Sequence, residues 1–284
     1  MSEYTEDDKG NVDLHIHTKF SDGALTVDQV LDIAEAKGLS TISITDHDTL
    51  GAYPYVVDEG KKRGIDVIVG AELSCELNGK DIHILGYFMD PENGPLKIAL
   101  EEMRKARYYR AEKMVENLNR QGVDLRFETV LRFAAGGAIG RPHIASALLH
   151  EEFVYSFREA FDSYLGYDSP AYVEKLQLKP SEVFTLIKNA GGVPILAHPG
   201  VTKVDELIPE LIRQGLAGLE VYHSDHSSVI RRHYAGICRK HHLLFTGGSD
   251  FHCDTHRAHQ IEIGMPSIRY NLIEGLRAHY SEFI

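Results

Sequence analysis

Sixteen histidines are many for a chain of 284 residues, and the chemistry shows in where six of them fall. His15 and His17 stand two apart in Val-Asp-Leu-His-Ile-His-Thr, with Asp22 following in Ser-Asp-Gly. His47 lies in Thr-Asp-His-Asp, Glu72 in Gly-Ala-Glu, His83 in Asp-Ile-His and His198 in Ala-His-Pro, and Asp250 and His252 share Ser-Asp-Phe-His. Each sits within or just after a run of β-branched and other apolar residues, the mark of a strand. Gathered without compensation, the three carboxylates would repel one another and some would take up protons. Neutral imidazole and carboxylate are instead natural ligands of divalent cations. Nine such groups suit two or three ions with positions left over for water and substrate. Ions about 3.5–4 Å apart can share one hydroxide that is a nucleophile near neutral pH, so no serine or thiolate is required.

The elements that must position these groups alternate. Strands are predicted over 12–18, 41–45, 65–71 and 82–88, then over 193–197, 216–221 and 243–246. Between the first two, Thr26-Val-Asp-Gln29 has the form of a capping box. Val27, Val30, Leu31 and Ala34 follow at helical spacing, and Gly38 is the stop. Such succession favours βαβ units in a parallel sheet or barrel, whose strand C-termini open on one face. Period-two alternation turns both His15 and His17 to one side. The turn cluster Asp90-Pro-Glu-Asn-Gly-Pro95 marks a change of character: 96–121 reads as one long charged helix, with more helix to about Leu165. Residues 91–178 are therefore expected to be a helical insertion covering the site, and 1–90 with 179–284 a discontinuous barrel.

Plainer readings apply to many of the same residues. A lone histidine at a strand end is most often structural, and that holds for His83 taken by itself and for most of the other ten histidines. His223, just past a predicted strand in Glu-Val-Tyr-His, is the exception and a candidate proton donor. Asp13, Asp46 and Asp48 are expected behind the ligands, orienting imidazole N–H groups. The run from Arg104 to Lys113 reads as a solvated face paired with Glu101, Glu102, Glu112 and Glu116, with Arg107 or Arg110 able to line a cleft.

Forty-two acidic residues against 30 Lys and Arg give a formal charge of −12, which argues against binding duplex DNA. Cys75, Cys238 and Cys253 form no CxxC and read as reduced thiols of a cytoplasmic protein. The acidic start is unlike a signal peptide, no run is long enough to span a membrane, and nothing calls for an obligatory protein partner.

Taken together, the motifs around His15 and His17, His47, His198, and Asp250 and His252 resemble those of the PHP (polymerase and histidinol phosphatase) family of metal-dependent phosphoesterases. The helical insertion and Gly-Arg141-Pro-His143 are similar to its subgroup that removes the 3′-phosphate of nucleoside 3′,5′-bisphosphates and trims short RNA from the 5′ end. The resemblance implies a distorted (βα)7 barrel with three metal ions, manganese first, iron or zinc as alternatives. It implies His15, His17, Glu72 and Asp250 on one ion, and Glu72, His83 and His198 on a second. Asp22, His47 and His252 would hold the third. Arg141 and His143 are then candidates to hold a second phosphate of a small nucleotide or short RNA. The rival readings are a histidinol-phosphate-type monophosphatase, a metallo-amidohydrolase, and a non-catalytic nucleotide or RNA binder with structural metals.

Overall fold

The computed structural model describes residues 11–175, 178–252 and 261–281. Strand β1 (Asn11–Ile16) leads through α1 (Val27–Ala36) to β2 (Leu39–Ile44), and α2 (Tyr55–Lys62) leads to the short β3 (Asp66–Val67). The predicted capping box forms: Thr26 and Gln29 each accept the other's backbone N–H, and Val27, Val30, Leu31 and Ala34 are buried. The strands β4 (Gly70–Leu77) and β5 (Lys80–Tyr87) follow. Then come α3 (Gly94–Arg120), α4 (Phe127–Ala134), α5 (Arg141–His150), α6 (Phe157–Ala160) and a π-helical turn at Phe161–Leu165. The chain returns through α7 (Pro180–Asn189), β6 (Val193–Leu196), α8 (Pro199–Thr202), α9 (Ile208–Gln214), β7 (Gly218–His223), α10 (Ser228–His241) and β8 (Leu244–Gly248). It ends with β9 (Ile268–Arg269) and α11 (Asn271–Ser281). No helix among the described residues is long and apolar enough to cross a membrane.

The strands form two sheets, of order β3-β2-β1-β9 and β4-β5-β6-β7-β8, in a mixed α/β fold. This corrects the expectation of an all-parallel array. The predicted third strand splits into β3 and β4, and β4 pairs antiparallel with β5, which pairs antiparallel with β6. The cause is a two-residue hairpin: Asn78 and Gly79 take φ of 54° and 77°, as a tight primed turn requires. Glu72 thus lies near the start of β4 and His83 within β5, not at strand C-termini.

The sheets face each other across one buried cluster that holds Val12 and Leu14 from the first and Leu85, Tyr87 and Ile195 from the second. The C-terminal ends of β1 and β2 also meet the two edges of the five-stranded sheet, at the isolated parallel bridges Ile16 with Phe251 and His47 with Glu72. Gly248 permits the first seam, because a Cβ there would strike the backbone and Cβ of His15. The long α3 spans two cores. Its first half buries Leu96, Leu100 and Met103 against the five-stranded sheet and α7. Its second half buries Met114, Val115 and Leu118 in a cluster shared with α4, α5 and α6. Of the cysteines, Cys75 and Cys238 are buried and unpaired, whereas Cys253, like His256 and His259, lies outside the described residues.

Candidate metal centre

The nine residues singled out in the sequence meet at the two seams. The imidazoles of His15 on β1 and of His17 just past it converge, Nε2 to Nε2 3.1 Å, and neither is exposed. They face Glu72 Oε2 at 3.3 and 3.2 Å and Asp250 Oδ1 at 3.4 and 3.2 Å. The other oxygen of Glu72, Oε1, faces His83 Nδ1 at 2.8 Å and His198 Nε2 at 2.9 Å. Asp22 lies 3.4 Å from His252 Nε2 and 3.7 Å from His47 Nε2, and the rings of His17 and His252 stack at 3.9 Å. Three groups have ligand atoms within 4.8 Å of one another: His15, His17, Glu72, Asp250; His17, Asp22, His47, His252; and His47, Glu72, His83. Each carboxylate oxygen of Glu72 thus belongs to a different neighbourhood.

Hydrogen bonding alone does not account for the cluster. His198 Nδ1 is buried without a hydrogen-bond partner among the described residues, and the approaches of His83 Nδ1 and His47 Nδ1 to Glu72, and of Asp22 Oδ1 to His252, are close but poorly aligned for hydrogen bonds. Buried polar atoms are rarely left so. Burial alone would raise the pKa of Glu72, Asp22 and Asp250, yet the surrounding imidazoles hold all three well below the usual carboxylate range. Burial lowers His47 well below its ordinary value, and the like charges of His17 and His83 add to this. Against its own burial, His17 is raised to about 10 by Asp250 and Glu72. Carboxylates held ionised, and nitrogens forced to trade protons, are what divalent cations relieve, and the nitrogen and oxygen donor set suits them.

The groups behind the ligands differ from expectation. Asp13 accepts the backbone N–H of His15, Ser249 and Gly264, and Asp46 accepts from Thr18 and Ser21. Asp48 accepts from Ser74 N and Arg107. None of these three bonds an imidazole nitrogen; they fix the loops that carry the histidines. The ring of His15 is instead held by Glu220, 2.9 Å from Nδ1. Glu220 escaped the sequence reading because a single acid in an apolar strand carries no motif. The Asp225 amide donates to His223 Nδ1, leaving the ring proton on Nε2, 3.2 Å from Asp250 Oδ2. His143 Nδ1 accepts the Gly140 N–H, which ties the start of α5 to its own turn.

Beside the imidazoles, the inner face of α3 supplies a second cluster. Arg107 and Arg110 point inward instead of joining the solvated face, while Lys105 and Lys113 pair outside with Glu102 and Glu116. Arg107 Nε lies 2.6 Å from Asp48 Oδ2, and its Nη2 donates to Ser74 Oγ at 3.0 Å. Lys175 reaches the same Ser74 Oγ at 3.5 Å and Asp81 at 3.7 Å. Arg110 donates from Nε to the Val173 carbonyl and its guanidinium lies over the Tyr172 ring at 5.2 Å, but its buried Nη2 has no hydrogen-bond partner among the described residues. Arg141 lies over the Tyr167 ring at 4.7 Å and donates to the Leu165 carbonyl. Burial lowers the pKa of Arg110 and of Lys175, and neighbouring cations lower both further. The strands join the clusters: Glu72 and Ser74, and Asp81 and His83, are each two apart and so share a face.

Comparison with known proteins agrees with this geometry. A protein of Chromobacterium violaceum named 3′,5′-nucleoside bisphosphate phosphatase is 32% identical over 248 residues, 85% of this chain and 87% of its own. A 5′-3′ exoribonuclease of Salmonella typhimurium is 30% identical over 250 residues, 84% of each chain. The crystal structure of a Bifidobacterium adolescentis protein, described by assignment as a metal-dependent phosphoesterase, superposes with a TM-score of 0.85 at 29% identity, covering 94% of this chain and 95% of that one. The PHP domain profile matches residues 13–185, from the β1 histidines through the helical segment. With more than half its length matched and its proposed ligands gathered around Glu72, the chain belongs to the PHP domain family of metal-dependent phosphoesterases.

Proposed function

We propose that the protein hydrolyses phosphate monoesters of nucleotides that carry a second phosphate. Nucleoside 3′,5′-bisphosphates, losing the 3′-phosphate, lead, and short 5′-phosphorylated RNA comes next. One observation carries this reading: the buried Arg110 Nη2 that lacks a partner, in a cluster where four cations face two carboxylates, beside the imidazoles. Such a cluster repels itself until an anion enters it. A phosphate seated there leaves the rest of a nucleotide reaching toward Glu72. The exposed Tyr167, backed by Arg141, offers a face for the base.

Within this reading the nine residues hold three divalent ions in the groups that the family resemblance implies, manganese first and iron or zinc as alternatives. Ions held there supply Lewis acidity and a nucleophile drawn from solvent near neutral pH. The chain's own groups do the rest. Arg110, Lys175 and Arg141 bind and orient the substrate, and the fork of Arg107 braces Asp48 and Ser74. His143, bonded to the backbone of Ser21, straps α5 against the loop carrying Asp22. We assign His223 to Asp250, toward which its proton points, in place of leaving-group protonation. We read the seven longer strands, β1, β2 and β4 to β8, with their seams as an interrupted barrel, and 91–178 as the insertion that walls the site. Two buried unpaired thiols support a cytoplasmic setting.

The test is phosphate release from nucleoside monophosphates, 3′,5′-bisphosphates and histidinol phosphate, beside nucleotide release from short 5′-phosphorylated RNAs and product formation from an amide panel, with metal content measured alongside. Preference for the bisphosphate is expected. Equal turnover of histidinol phosphate, or turnover of amides alone, overturns the reading in favour of its rivals.

A further inference from the structure

Glu220 is wholly buried in β7, where an unpaired carboxylate is costly. Its neighbours Leu219 and Val221 point the other way, into the core that α10 covers. Strand alternation therefore turns Glu220 toward the face shared with β1 and β6. There its two oxygens do different things. Oε1 meets His15 Nδ1 at 2.9 Å, which leaves the Nε2 of that ring aimed at Glu72 and Asp250. Oε2 accepts the backbone N–H of His198 at 2.8 Å. His198 has φ 28° and ψ 55°, a left-handed conformation that a residue other than glycine holds only where its surroundings enforce it. That turn brings His198 Nε2 to Glu72 Oε1.

We propose that Glu220 is a positioning residue that couples two ion positions, the one around His15, His17, Glu72 and Asp250 and the one around Glu72, His83 and His198. It fixes a ring in the first and a backbone turn in the second. It has no bond to Asp22, His47 or His252, so the third position is independent of it. The inference rests on the ligand groups proposed above.

Glu220→Gln tests it, because an amide has one acceptor where two donors, His15 Nδ1–H and His198 N–H, need one each. Manganese titrated into chelator-stripped protein, followed calorimetrically and by electron paramagnetic resonance, should show at least a tenfold loss of affinity at two positions together, with one kept. Asp22→Asn should give the reverse pattern. Glu220→Asp keeps the charge but is a methylene short of spanning both contacts, and should stay impaired. It also carries the test should the Gln variant fail to fold. Wild-type titration in either Glu220 variant, or loss at all three positions alike, overturns the coupling. Wild-type protein that takes up neither manganese, iron nor zinc would instead overturn the ligand groups on which it rests.

Discussion

The seam between the sheets and the inner face of α3 are both packed with charge, but with opposite deficits. At the seam the surrounding imidazoles hold Asp22, Glu72 and Asp250 ionised, and no described Lys or Arg bonds Asp22 or Glu72. A few residues along the same strands, Arg107, Arg110, Arg141 and Lys175 have only Asp48 and Asp81 as described carboxylate partners. Neither region is electrostatically complete. On the proposed reading one calls for cations and the other for an anion, and a substrate with two phosphates would answer both. The difference then teaches that a ligand would be recognised by charge spacing, with the ions as half of the receptor.

The comparison can be broken at its strongest point first. His17→Ala or Asp250→Ala should lower turnover at least about 1,000-fold, beyond the 10–100-fold typical of residues behind the ligands. Circular dichroism should show the fold intact. Arg107→Leu should act on stability, leaving Asp48 buried and uncompensated at a cost of about 3–5 kcal/mol in denaturant titration. Arg110→Met should lower kcat/KM for a 3′,5′-bisphosphate about 10- to 100-fold, the worth of a hydrogen bond to a charged group, and leave a monophosphate nearly unchanged. Arg141→Ala, whose guanidinium is already engaged by Leu165 and Tyr167, should cost less, about tenfold, again mainly for the bisphosphate.

The smallest effect is on pH. Burial holds the folded pKa of Lys175 below its ordinary value. Between the folded and unfolded pKa values the unfolded chain binds the extra proton, so stability rises with pH there and is lost as pH falls through the folded value. Lys175→Met should flatten that rise in ligand-free thermal melts. It should also raise the melting temperature at neutral pH while weakening bisphosphate binding.

The seam was the more legible of the two regions because its residues come in contiguous motifs beside apolar runs. His-Ile-His gives two ligands from one alternation, and Ser-Asp-Phe-His two more. The hairpin was legible but unread: Asn78-Gly79 between apolar runs signals the antiparallel pair that moved Glu72 and His83 away from strand ends. The cation cluster was legible only in part: Arg141 sits in a motif and Arg107 and Arg110 could be read as cleft residues, but Lys175 carried no signal. Arg107 and Arg110 stand among outward Glu and Lys residues on α3, and only the position of the second core tells which side turns in. Glu220 is a third kind of case, a lone acid whose meaning is a contact 205 residues away.

The measurement closest to the centre of this account is phosphate release from adenosine 3′,5′-bisphosphate by chelator-stripped protein, before and after manganese is restored. The account predicts no turnover from the stripped protein and recovery on addition. Undiminished turnover by protein shown by elemental analysis to be free of metal would contradict it.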